Sequence, residues 1–287
     1  VAEHQVRIAA LGDVAARVGE CPVWRPEASV LEWIDMPSGV AYRTDLAGRT
    51  LAIDLGRPIG ALVPRTSEGW VAATWAGFEL LDAEGATVYE DAFLGPGFRM
   101  NDAACDPHGR LFAGSTALDF EPGAGAIHLL RSNGKREAVL SGLTLPNGMG
   151  WSPSGDTFYL ADSIERHLLA FDVDAVTGRP SGRRLLRAFD ADDGLPDGLC
   201  VDADGCLWVA LWDGGAIVRI SPEGDELHRL RLPVERPTSC AFGGASGDIL
   251  FVTTAMTEGD TSNGANGRLL VVHGLGTRGR PEPRFED

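Results

Sequence analysis

The sequence has no run of about 18 apolar residues, so no stretch of it is long enough to span a membrane as a helix. Residues Val1 to Ala10 include Glu3, His4 and Arg7 and no apolar signal-peptide core, so a cytoplasmic protein is expected. Positive charge is scarce. The 25 Lys and Arg stand against 41 Asp and Glu, a net charge of −16, which argues against nucleic-acid binding through phosphate contacts and favours solubility. Cysteine is sparse and odd in number at five, which speaks against a disulfide framework. The spacing of Cys200 and Cys206 matches no zinc pattern, and Cys21, Cys105, Cys200 and Cys240 fall in predicted strands as small buried hydrophobes. The six His (4, 108, 128, 167, 228 and 273) have no metal-ligand spacing. A G-x-S-x-G elbow is missing, which disfavours a serine hydrolase. Gly274-Leu275-Gly276-Thr277-Arg278-Gly279 does match G-x-G-x-x-G, but it runs into Arg280-Pro281-Glu282-Pro283 with no helix to open and reads as a tail loop. Asp172-Val173-Asp174 and Asp202-Ala203-Asp204-Gly205 lack the full spacing of a calcium loop and read as β-turns.

Glycine and proline are abundant, at 37 and 17 residues, with hydrophobic content of 44%, a composition of many turns and short strands around a real core. Long amphipathic helical patterns are absent. The stretch Leu195-Pro196-Asp197-Gly198-Leu199-Cys200-Val201 leads through the turn Asp204-Gly205 into Leu207-Trp208-Val209-Ala210, a strand–turn–strand pattern. Leu145-Pro146-Asn147-Gly148-Met149-Gly150-Trp151 has the same layout, with Asn147 in the place of Asp197. Equivalent modules begin at Gly19, Gly60, Met100, Pro146, Pro196 and Pro237, at spacings of 41, 40, 46, 50 and 41 residues. Three to four short strands at such a period predict a six-bladed β-propeller, all-β, as one domain over residues 1–287. An N-terminal strand at about residues 5–11 is expected to complete the last blade and cover its edge.

In a propeller the first strand of each blade lines the central channel, so equivalent slots form a ring at one height. The slots are Glu20, Ala61, Asn101, Asn147, Asp197 and Thr238. Asn and Asp before Gly also serve as turn formers, and for a single slot that is the simpler explanation. Two carboxylates and two amides in one register are different: facing one channel they would repel and lose hydration unless a cation sat between them. All-oxygen donors favour one hard divalent ion, Ca²⁺, Mg²⁺ or Mn²⁺, with Zn²⁺ and Fe²⁺ left open.

Gly19-Glu20-Cys21-Pro22-Val23-Trp24, Arg99-Met100-Asn101-Asp102, Leu145-Pro146-Asn147-Gly148-Met149-Gly150-Trp151-Ser152-Pro153 and Pro196-Asp197-Gly198-Leu199-Cys200-Val201-Asp202 together resemble the senescence-marker-protein/gluconolactonase family, the regucalcin-like sugar lactonases. Each motif is weak alone; the ordered set, from about Gly19 to Val272, is specific. The resemblance implies a six-bladed propeller with one divalent cation that hydrolyses a sugar lactone. By motif, Glu20, Asn147 and Asp197 would bind the metal, while Arg99 and Asn101 would hold substrate, Asn101 near the metal. An acidic substrate contact is implied in the loop after Ala113, where Asp119 and Glu121 are both candidates and a solvated loop charge explains at least one. The family often has Gly where Cys21 stands; a tolerated small residue is favoured over a narrowed metal vicinity.

Lactone hydrolysis needs a polarised ester carbonyl and a delivered water, which makes Asp197 the candidate for ligand and general base together. Trp75 and Trp212, after their second strands, are candidates for the pocket rim, and the loop 116–126 for a lid. The expected partner is a small sugar lactone met by a monomer or weak homo-oligomer, with the aldonic acid as product in carbohydrate catabolism. Two alternatives stay open: a metal-dependent esterase or organophosphate hydrolase on the same scaffold, and a calcium-binding propeller without catalysis.

Overall fold

The computed structural model describes residues 5–257 and 264–287, and among these the chain forms six four-stranded antiparallel sheets arranged as a six-bladed β-propeller. The one helical piece described is a 3₁₀ turn, Ala191–Asp193. Among the described residues no helix is long and apolar enough to cross a membrane. The inner strands of blades 1 to 6 are Gly19–Arg25, Ile59–Pro64, Phe98–Cys105, Pro146–Trp151, Leu195–Val201 and Pro237–Gly243. Blade 6 takes its outer strand from the opposite end of the chain: Arg7–Ala15 pairs antiparallel with Arg268–His273.

Two of the hairpins joining first to second strands, those of blades 3 and 5, use one turn device. Asp202 Oδ1 accepts the backbone N–H groups of Asp204 (3.0 Å) and Cys206 (2.9 Å), while Gly205 takes a φ of +84° that a side chain would disfavour. Asp106 does the same for His108 and Arg110. Asp202 is fully buried, and its second oxygen accepts from Trp208 Nε1 (3.0 Å) and Arg219 Nε (2.8 Å), so the turn is tied to the blade it opens. Blades then pack face to face through large side chains, among them Trp208 against Phe242 and Phe112 against Trp151.

Every inner strand also loses its register with the second strand near its start: between Glu20 and Val23, Ile59 and Ala61, Met100 and Ala103, Pro146 and Met149, Pro196 and Leu199, and Pro237 and Ser239. Such a bulge leaves residues out of the ladder and re-aims their side chains. The inner strands approach one another closely here. A Cβ on Gly148 would lie 2.4 Å from the Asp197 carbonyl oxygen, which is why this position is glycine.

The five cysteines are buried and unbonded. The tail read as a loop is more than a loop. Ala203 N–H donates to the Arg278 carbonyl, Gly279 N–H to Gly247, Glu286 N–H to Gly109 and Phe285 N–H to Pro64. It thus crosses from blades 5 and 6 to blades 3 and 2 over the turns between first and second strands. Phe285 enters the core at 2% exposure, and Asp287 pairs with Arg65. Phe285→Ala is expected to cost about 3 kcal/mol or more and to lower the thermal midpoint by roughly 6 °C; an unchanged midpoint in thermal unfolding would show the strap to be dispensable.

Candidate metal centre

The end of the propeller opposite the tail strap, framed by loops between second and third strands, holds a cavity of about 310 Å³. Its polar lining is Glu20, Arg99, Asn101, Asn147, Ser163 and Asp197. Four of the six slots therefore reach one cavity. The other two do not: Ala61 is buried in the apolar packing, and the Thr238 hydroxyl donates to the Gly19 carbonyl, stitching blade 6 to blade 1.

Asn147 Nδ2 donates to Ser163 Oγ (3.2 Å) and to Asp197 Oδ1, which leaves Asn147 Oδ1 accepting no hydrogen bond among the described residues. Glu20 Oε2 accepts the Cys21 N–H (3.2 Å). Asn101, read from the sequence as a substrate contact, has both amide atoms occupied: Nδ2 donates to the Pro146 carbonyl (3.0 Å), and Oδ1 accepts from Arg99 Nη1 (2.6 Å). In this arrangement it holds Arg99. The guanidinium spends Nη1 on Asn101 and on the Met100 carbonyl (3.1 Å) and pairs directly with neither carboxylate.

Both carboxylates are buried, and burial pushes each well above the ordinary range. For Glu20 the next influences upward are the charges of Asp197 and Asp102; for Asp197 it is Asp102, opposed by hydrogen bonds from Asn147 and the Gly198 N–H and by Arg99. Asp102 itself, just under the floor, is raised by burial to about 6. Among the described residues the floor thus has three carboxylates around it and one guanidinium, that of Arg99, to oppose them.

A hard divalent cation fits this set. Glu20, Asp197 and the Asn147 amide oxygen offer oxygen atoms only, and no cluster of three or more His, Cys, Asp or Glu able to hold a metal occurs among the described residues. A cation here would draw on the amide as well as the two carboxylates.

Asp119 and Glu121 are both exposed, and Asp119 Oδ1 accepts the Glu121 N–H (3.3 Å). The residue between them, Phe120, lines the cavity in a left-handed conformation with φ of +56°. Sequence reasoning on charge passed over it. Trp212 lines the cavity, whereas Trp75 does not and stands 41% exposed. Cys21, also left-handed at φ +50°, sends Sγ to the Leu62 carbonyl (3.4 Å) and lines a separate small cavity beneath the floor with Asp102 and Glu282, so it does not narrow the metal vicinity.

A carboxyl whose pKa is higher folded than unfolded binds its proton more tightly when folded. Its contribution is present below the unfolded carboxylate pKa and is lost as pH rises through the raised folded value. Chelator-treated protein is therefore expected to lose thermal stability from mildly acidic to mildly alkaline pH, and added Ca²⁺ to restore it at the alkaline end. Asp197→Asn should flatten that dependence; an equally steep profile in this variant would remove the floor carboxylates as its cause.

The region described as SMP-30/Gluconolactonase/LRE-like matches residues 18–256. Regucalcin of Danio rerio is 35% identical over 274 residues, covering 92% of this chain and 93% of the relative. Among solved structures, a luciferin-regenerating enzyme superposes with a TM-score of 0.90 at 26% identity, covering 99% of this chain and 100% of the other. Regucalcin of Agrobacterium tumefaciens, described as a calcium-binding protein, gives 0.88 at 29% identity and 96% coverage of both chains.

Proposed function

Because the chain belongs to the SMP-30/gluconolactonase/LRE-like family, we propose that it is a divalent-metal-dependent lactonase, which opens a small lactone to its hydroxy acid. An aldonolactone is the substrate that the family points to. The observation that carries the reading is the cavity floor, where two buried carboxylates and a free amide oxygen meet beside an arginine that is ion-paired with neither.

A cation held by Glu20, Asn147 and Asp197 would supply Lewis-acid polarisation of the ester carbonyl. Asp197 serves as the base: it takes a proton from the attacking water as the new C–O bond forms, and returns it to the ring oxygen as the ester bond breaks. Arg99 keeps Nε and Nη2 clear of protein partners among the described residues, so its guanidinium edge can bind the carbonyl or ring oxygen of the ester and oppose the charge that develops there. Asn101 fixes that edge from behind, and the Asn147 amide orients Asp197.

The description of a relative as calcium-binding favours a second reading, a propeller that binds calcium without catalysis through the same residues. Hydrolysis by chelator-stripped protein, followed by proton release with single metals added back, separates the two. Turnover restored by one metal supports the lactonase. Metal binding with no turnover above the spontaneous rate supports the calcium-binding role. In the first case Asp197→Ala is expected to lower kcat by about 10²–10⁴-fold, and Arg99→Met to lower kcat/KM by roughly tenfold to a hundredfold. Full metal-dependent activity in Asp197→Ala would dismiss the assigned base.

A further inference from the structure

The cavity that holds the carboxylate floor has walls of a different character. Seven of its thirteen lining residues are apolar. Phe120 comes from the blade 3 loop, Leu145 and Ile164 from blade 4, and Leu195 and Trp212 from blade 5, with Val18 and Met36 closing the blade 1 side. Phe120 and Ile164 are 38% and 39% exposed, large apolar side chains left at the mouth rather than packed away.

The wall is built to be apolar. The tight turn 117–120, closed by Phe120 N–H to the Ala117 carbonyl (3.1 Å), holds a bulky aromatic residue at positive φ, a conformation disfavoured for such a residue. It directs Phe120 into the cavity while its acidic neighbours Asp119 and Glu121 stand exposed. Trp212 is held by the Arg236 guanidinium stacked over its ring at 4.9 Å.

Polar partners for a ligand are few. Asn101 is turned to Arg99 and the Pro146 carbonyl, which leaves it one N–H, and Asn147 Nδ2 is spent on Ser163 and Asp197. What remains is one edge of Arg99, the second Asn101 N–H, the Ser163 hydroxyl proton and the floor oxygens. Hydroxyls of an aldonolactone ring that face these walls would lose water to side chains that cannot bond them. The aromatic faces alone would suit the C–H face of a sugar; Ile164, Leu145 and Leu195 offer a hydroxyl neither a bond nor a stacking surface.

We propose that the preferred substrate is a lactone bearing an apolar alkyl or aryl substituent, its ester group on the Glu20–Arg99–Asp197 floor and its substituent against Phe120, Ile164 and Trp212. This deepens the lactonase reading and rests on it. Each methylene of the substituent that reaches the wall then raises kcat/KM roughly fourfold until the wall is covered.

The test compares γ-butyrolactone, γ-heptalactone and γ-nonalactone with glucono-1,5-lactone on metal-reconstituted protein. It also measures calorimetric binding of two unreactive lactams, 5-pentyl-2-pyrrolidinone and gluconolactam. The expected result is kcat/KM rising through the alkyl series by at least tenfold, mainly through KM, with gluconolactone below γ-nonalactone and the alkyl lactam binding more tightly. Phe120→Ser, a change in an exposed loop, should reduce the γ-nonalactone to γ-butyrolactone ratio by at least threefold. Turnover of gluconolactone tenfold above γ-nonalactone would overturn the proposal and leave the lactonase reading standing. Lack of turnover on every lactone would sink that reading, and the lactams would then decide the apolar subsite: tighter binding of the alkyl lactam upholds it, and equal or weaker binding overturns it.

Discussion

Glu20 and Asp197 share a buried floor, and among the described residues no side chain forms an ion pair with either; the Arg99 charge and, for Asp197, the Asn147 amide offset their burial only in part. Their hydration is lost to burial, Asp102 adds a third carboxylate beneath, and the nearby Arg99 directs its bonded nitrogen to Asn101 and Met100. Such an arrangement costs free energy unless the groups keep their protons or meet a cation. Affinity for a hard ion thus arises from one electrostatic condition, with the open acceptor oxygen of Asn147 beside the two carboxylates.

That condition depends on backbone geometry repeated six times. The register break at the start of each inner strand lets a slot side chain leave the ladder and turn toward the axis. Close approach of neighbouring inner strands is what requires glycine at 148, after the Asn147 slot, and at 198, after the Asp197 slot, where a Cβ would collide with Ser239. Asx turns at the opposite end hold the hairpins of blades 3 and 5 in place, so the floor is supported by regular blades rather than by loops.

The propeller was legible because each module carries its own punctuation: an Asp or Ser opening a turn, a glycine at positive φ, and apolar runs on either side. The slot residues were legible for the same reason, since a repeating unit makes an out-of-place carboxylate visible. Other features depend on contacts that a pattern does not encode. Thr238 occupies a slot but is used to join two blades, and Asn101 bonds to Arg99 and a backbone carbonyl. At residues 119–121 charge suggested the two acids, but the sign of one φ angle selects the phenylalanine between them. Phe285 sits among charged and proline residues in a segment without periodicity, and only its burial reveals the strap.

The last blade is shared between distant parts of the chain, with the strand Arg7–Ala15 laid against Arg268–His273. During synthesis the earlier strand is made early and its partner only after roughly 250 further residues, a delay on the order of 10–50 s at ordinary elongation rates. Through that interval blades 1 to 5 can form in turn, each by local hairpin pairing, while the ring stays open with the flank of blade 1 exposed. The nascent protein is then an incomplete arc with an accessible side, and the ribosome's release of residues 268–273 sets the moment at which it closes. Until that moment the exposed flank is open to self-association, and the fold's own protection begins only with closure.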